Sequence, residues 1–121
     1  MTKNILVVDD SQSIREVVTH TLENEGYNVM VGSDGKHALQ FLDGTEIDMV
    51  ITDLYMPEMD GIEFIKEVRR REEYKGVPIL FLTTESQNEK KQMAKEAGAT
   101  GWIVKPFVPK KLLAALNKVL R

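Results

Sequence analysis

Three stretches of the chain are apolar at nearly every position: Ile5-Leu6-Val7-Val8, Met49-Val50-Ile51 and Val77 to Leu82. A run of that length, bounded by polar or turn-forming residues, predicts a strand buried on both faces of a sheet. Tyr27 to Val31 alternates more (Tyr27, Val29 and Val31 against Asn28), which predicts a half-exposed strand at an edge. Trp102-Ile103-Val104 completes a set of five.

Between the runs the apolar positions fall at helical intervals. Val17, Val18 and Leu22 follow Ser13-Ile14-Arg15-Glu16, a capping-box pattern, and Gly26 is the expected stop. Ala38, Leu39 and Leu42 predict a short second helix ended by Gly44, and Ile62, Phe64, Ile65 and Val68 a third. Ser86-Gln87-Asn88-Glu89 repeats the capping pattern before Met93, Ala94 and Ala97, with Gly98 as terminator. Leu112, Leu113, Leu116, Val119 and Leu120 give the last helix its stripe.

Strict alternation of strand and helix implies an α/β fold: a five-stranded parallel sheet with helices on both faces, joined by right-handed crossovers. With the second strand at an edge, the strand order 2-1-3-4-5 of flavodoxin-like folds fits best. At 121 residues, 42% hydrophobic and 29% charged, the chain suits one soluble domain spanning 1–121. It has no cysteine, which removes disulfides and thiolate chemistry and suits a reducing cytoplasm. The first apolar run ends at two aspartates after Val8, too short for a signal peptide or a membrane span, so no membrane role is expected.

Charge is divided along the chain. Residues 1–85 carry 8 of the 16 Lys and Arg and 17 of the 19 Asp and Glu, a net −9, whereas residues 86–121 carry a net +6. Lys90, Lys91, Lys95, Lys110, Lys111 and Lys118 lie on the last two helices. They form either a solvated face or a surface that attracts an acidic partner segment.

In this topology ligands sit at the carboxyl ends of the strands, where the strand order reverses. The polar residues that end each run should gather there: Asp9 and Asp10, Asp53, Thr83 and Thr84, and Lys105. Three carboxylates at close range raise one another's pKa and destabilise the fold unless a cation joins them. An all-oxygen set selects a hard ion, with Mg²⁺ the best fit. A carboxylate beside Mg²⁺ and a lysine is arranged for phosphoryl transfer, with Asp53 as nucleophile and Thr83 donating to a phosphoryl oxygen. No Gly-rich nucleotide cradle is present, so the donor should be a phosphoprotein or a small phosphodonor. Taken singly, Thr83 reads as a cap residue and Lys105 as a solvated charge. His20 and His37 read as surface residues without a ligand role.

Val8-Asp9-Asp10-Ser11, Thr52-Asp53-Leu54-Tyr55-Met56-Pro57 with Met59-Asp60-Gly61, Leu82-Thr83-Thr84 and Lys105-Pro106-Phe107 occur in order over nearly the whole chain. Together they resemble the receiver domains of response regulators, most closely the stand-alone chemotaxis type. The resemblance implies Asp53 as phosphoacceptor, with Asp10, Asp53 and the Tyr55 carbonyl as direct Mg²⁺ ligands and Asp9 acting mainly through water. Lys105 and Thr83 would bind the phosphoryl group, and a cis peptide before Pro106 would aim the lysine. Tyr55 and Glu85 stand at positions that tune phosphate lifetime in the family. Trp102 takes the place of a tyrosine or phenylalanine that turns inward on activation.

The implied function is a two-component phosphoacceptor switch, which catalyses only its own phosphorylation and dephosphorylation. It would take phosphate from a histidine kinase and signal through its last two helices and last strand, with the flagellar motor switch as target. A monomer without nucleic-acid binding is expected, and a phosphorelay intermediate is the alternative. A haloacid-dehalogenase-type phosphatase would need a second aspartate two residues after the first, which Asp9-Asp10-Ser11 lacks. A flavin carrier would need hydroxyls and glycine where the two aspartates stand.

Overall fold

The computed structural model describes residues 2–120. Five parallel strands, β1 (Asn4–Val8), β2 (Asn28–Gly32), β3 (Met49–Thr52), β4 (Ile79–Thr83) and β5 (Gly101–Val104), form one sheet in the order β2-β1-β3-β4-β5. Five helices connect or follow them: α1 (Gln12–Glu23), α2 (Gly35–Ala38), α3 (Gly61–Arg70), α4 (Asn88–Ala97) and α5 (Pro109–Val119).

The unbroken apolar runs follow from burial on both faces. Along β1, Ile5 and Val7 face a layer made with Val18, Leu22, Leu112 and Leu116, which belong to α1 and α5. Leu6 and Val8 face the other layer, with Phe64, Ile65 and Val68 of α3 and Ala94 of α4. β2 is the expected edge strand, but its burial does not alternate as Tyr27, Val29 and Val31 suggest: Asn28 and Val31 are exposed, Val29 and Met30 half-buried and Gly32 buried. Among the described residues no helix is long and apolar enough to cross a membrane.

Several element ends differ from expectation, each for a local reason. The first helix starts at Gln12 because Ser11, not Ser13, is its cap, and the Ser11 hydroxyl accepts a hydrogen bond from the Ile14 N–H. Before α4 the predicted capping box is absent: Gln87 is the cap residue and makes no side-chain bond to the helix. The reciprocal box lies instead at α3, where Asp60 and Glu63 satisfy each other's backbone N–H groups. α2 is a single turn that tightens into a 3-10 turn over Leu39–Phe41. β4 begins at Ile79, since Pro78 has no N–H to give, although its carbonyl accepts from Val50.

Candidate functional site

Sheet register brings the site together. Backbone bonds continue one residue past the strands: Asp53 N–H donates to the Val8 carbonyl, Asp9 N–H to Gly32, and Lys105 N–H to Thr83. The three side chains therefore leave β1, β3 and β5 at one level, with β4 between the last two. Asp9, Asp10 and Asp53 place carboxylate oxygens within 4.8 Å of one another. Asp9 and Asp53 are buried and Asp10 is exposed.

Lys105 lies between the two buried carboxylates, its Nζ 2.8 Å from Asp9 Oδ2 and 3.0 Å from Asp53 Oδ2. The Lys105–Pro106 peptide is cis. Each carboxylate rests its other oxygen on backbone N–H groups: Asp9 Oδ1 accepts from Ser11 at 2.9 Å, and Asp53 Oδ1 from Leu54 at 2.6 Å and Tyr55 at 3.3 Å. One oxygen on a cation and one on the main chain holds each group in a fixed orientation at the mouth.

These contacts set the electrostatics. Burial pushes Asp9 above the usual carboxylate range, and the Lys105 and Ser11 hydrogen bonds offset only part of the effect. Burial also opposes the Lys105 charge, but the hydrogen bonds and charges of Asp9 and Asp53 outweigh it, so its pKa rises. The three like charges at this mouth do not all depend on a metal. Lys105 already offsets two of them, and Asp10 faces solvent. A hard divalent ion still fits the donor set, because all three residues direct carboxylate oxygens to one point and nothing softer is present.

Thr83 is fully buried, and its Oγ1 accepts from the Glu85 N–H at 3.4 Å. Across the mouth the exposed Tyr55 phenol donates to the Glu85 carboxylate. That bond raises the Tyr55 pKa and lowers that of Glu85, as expected when the neutral phenol donates to an ionised acceptor. Trp102 is half-buried rather than extended into solvent: its ring packs on Phe81, centroids 5.3 Å apart, and its Nε1 donates to the Glu85 carbonyl at 2.9 Å. His20 and His37 are exposed and away from this cluster, His37 Nδ1 accepting from the Ser33 N–H.

Two contacts at and around the site escaped the sequence reading. Arg15 of α1 donates from Nη1 to the Asp9 carbonyl at 2.7 Å. Arg69, in the last turn of α3, binds only backbone carbonyls. Neither carries a motif, and a lone arginine on an amphipathic helix reads as solvated charge.

Comparison with known proteins agrees with this geometry. A family model described as the response regulator receiver domain matches residues 5–117. Chemotaxis protein CheY-3 of Vibrio cholerae is 40% identical over 116 residues, which cover 95% of this chain and 89% of that protein. The alkaline phosphatase synthesis transcriptional regulatory protein PhoP of Bacillus subtilis is 37% identical over 121 residues, and the chain spans 50% of its length. Among solved structures, chemotaxis protein CheY4 of Vibrio cholerae superposes with a TM-score of 0.96 at 50% identity, covering 99% of this chain and 100% of that one. With motifs, strand order and the acidic mouth in register, the chain belongs to the response regulator receiver family.

Proposed function

We propose that the chain is a phosphoacceptor switch in which Asp53 takes a phosphoryl group from a phosphohistidine of a histidine kinase. The observation that carries this reading is the setting of Asp53, fixed by Leu54 N–H on one oxygen and Lys105 on the other. An Asp53 oxygen attacks phosphorus, the P–N bond breaks, and the imidazole leaves with the electron pair. Lys105 offsets the charge of the incoming phosphoryl oxygens, and the Thr83 hydroxyl binds one of them. Asp9, Asp10, Asp53 and the Tyr55 carbonyl are the groups to hold Mg²⁺, which when bound would neutralise the phosphoryl oxygens. Tyr55 and Glu85, joined over the mouth, would govern how readily water reaches the phosphorylated Asp53.

With Mg²⁺ and acetyl phosphate the protein should gain one phosphate that survives acid but is lost in base or hydroxylamine, and Asp53→Asn should abolish the gain. Label that resists hydroxylamine would place it on Ser or Thr and overturn the assignment.

Output is assigned to the face of α4, β5 and α5, with the flagellar motor switch as target. Two observations support this: exposed Lys95, Lys110, Lys111 and Lys118 suit an acidic partner segment, and a chemotaxis protein is among the relatives at 40% identity. An inward swing of Trp102 on activation has little distance left to travel, because the ring already packs on Phe81. Phosphorylation should therefore leave its emission maximum nearly unchanged and its acrylamide quenching within about a factor of two, since the buried area of the ring is largely in place beforehand. A pronounced blue shift with strong protection would show that the indole does travel.

A further inference from the structure

α4 is tied down very unequally at its two ends. At its C-terminus Arg69 donates from both Nε (3.2 Å) and Nη2 (2.7 Å) to the Gly98 carbonyl. Its Nη1 reaches the carbonyls of Tyr74, Lys75 and Val77 at 3.2, 3.0 and 2.7 Å. One guanidinium thus joins the end of α3, the end of α4 and the segment entering β4. Gly98 makes room for it: its φ of +115° is left-handed, and a Cβ there would lie 2.7 Å from Arg69 Nε. A cation at the helix C-terminus also meets the negative end of the helix dipole. Immediately beyond, Thr100 N–H donates to the Ile79 carbonyl and Thr100 Oγ1 accepts from the Ile79 N–H, fixing the chain to β4.

The N-terminal end has little of this. Gln87 provides no side-chain cap, Ala94 is the single fully buried residue of α4, and Met93 is exposed. What holds the start of the helix is Glu85: one carboxylate oxygen accepts from Gln87 N–H at 3.1 Å, and the other accepts from the Tyr55 phenol. The Glu85 backbone is tied in turn to Thr83 Oγ1 and Trp102 Nε1. A phosphoryl group on Asp53 would act at this end, because it would draw the Thr83 hydroxyl, which holds the Glu85 N–H, into a hydrogen bond of its own and would add negative charge on the side of the mouth where the Glu85 carboxylate lies.

We propose that Arg69 is a positioning residue that makes the C-terminal end of α4 a fixed pivot, so that phosphorylation loosens or redirects only the helix's N-terminal half. The proposal rests on the phosphoacceptor reading for its trigger, whereas the pivot itself exists without phosphate. The inequality is a matter of local opening: a short helix with little apolar burial opens from whichever end is held least.

Amide hydrogen exchange on the full chain tests both parts, using residues whose N–H groups have partners within the helix or at its cap residue. Without phosphate, Lys91, Gln92 and Met93 should exchange at least about tenfold faster than Glu96, Ala97 and Gly98, since opening free energy differs along one element. Arg69→Lys, which keeps the charge but loses the fork, should abolish that gradient, and Gly98→Ala, which displaces the guanidinium, should do the same. Equal exchange at both ends of the parent overturns the pivot. With Mg²⁺ and excess acetyl phosphate, the parent should change at Lys91 to Met93 and stay constant at Glu96 to Gly98, while Arg69→Lys should change at both. Loss of stability alone would raise exchange equally with and without phosphate, so the phosphate-dependent difference separates positioning from mere support. A parent that takes up no hydroxylamine-labile phosphate overturns the phosphoacceptor reading, and the gradient without phosphate still decides the pivot.

Discussion

Lys105→Met should cost the protein about 3–5 kcal/mol of stability in EDTA, the usual loss when one member of a buried ion pair is removed and its partner is left charged. Lys105 is paired with two carboxylates, and the side chains of all three residues are at most 11% exposed. Methionine fills the same stem, so packing contributes little to the difference. Urea unfolding in EDTA measures the effect, and a loss below about 1 kcal/mol would match an exposed pair and contradict the burial argument. Added Mg²⁺ should recover part of the loss, because the same carboxylates would regain a positive neighbour.

The pH dependence of the parent follows from the same three groups. Lys105 is raised above its ordinary 10.5, so the stability it confers is complete below that value and is lost as pH climbs through its higher folded pKa. Asp9 is raised above its ordinary 3.8, which works in the opposite sense to a salt-bridged carboxylate of lowered pKa. Its buried charge is a penalty at neutral pH, and the penalty shrinks as pH falls through its folded value and is gone below the ordinary 3.8. The deficit of Lys105→Met should accordingly shrink in acid, where Asp9 takes up a proton and no longer needs a cation.

Periodicity and strand ends were enough to read the sheet order and to place Asp9, Asp53, Thr83 and Lys105 at one mouth. Parallel strands buried on both faces leave unbroken apolar runs, and in this topology the residue after each run can only point to the carboxyl edge. Local competition was harder to read. Ser11 and Ser13 both offer a cap hydroxyl to the first helix, and the choice falls to Ser11 because the chain must turn directly after Asp9. Glu85 shows the larger limit: its backbone carbonyl receives Trp102 from a strand 17 residues on, and main-chain groups leave no mark in a sequence pattern. Arg69 was invisible for the same reason, since every acceptor it meets is a carbonyl. Pairing of Lys105 with Asp9 and Asp53 could have been read beforehand: a lysine at the same mouth as three carboxylates is a nearer cation than any ion from solution.

Gly61→Ala should cost less stability than the loss of Lys105, but it should harm the chemistry as well as the fold. Gly61 opens α3 directly beneath the end of β3, and its N–H donates to the Leu54 carbonyl at 2.7 Å. A Cβ there would lie 2.3 Å from the Asp53 carbonyl oxygen, 2.6 Å from Phe81 Cε1 and 2.9 Å from Leu54 Cα. Two of those three atoms are backbone, so no rotamer change relieves the clash, and either α3 moves outward or the peptide bearing Asp53 turns. Overpacking of this kind costs about 1–3 kcal/mol or more, against at most about 1 kcal/mol that alanine gains over glycine in a helix. Any turn of that peptide also shifts Asp53 away from Lys105, and a misplacement of about 1 Å at a reacting group can cost on the order of a hundredfold in rate. Gly76→Ala is the control, since a Cβ there meets nothing within 4 Å. Unfolding in urea and the rate of hydroxylamine-labile labelling from acetyl phosphate should separate the two variants, with Gly76→Ala at or slightly above the parent in stability and unchanged in labelling. Should Gly61→Ala match it on both measures, the close approach of α3 to the Asp53 peptide is not what fixes the phosphoacceptor in place.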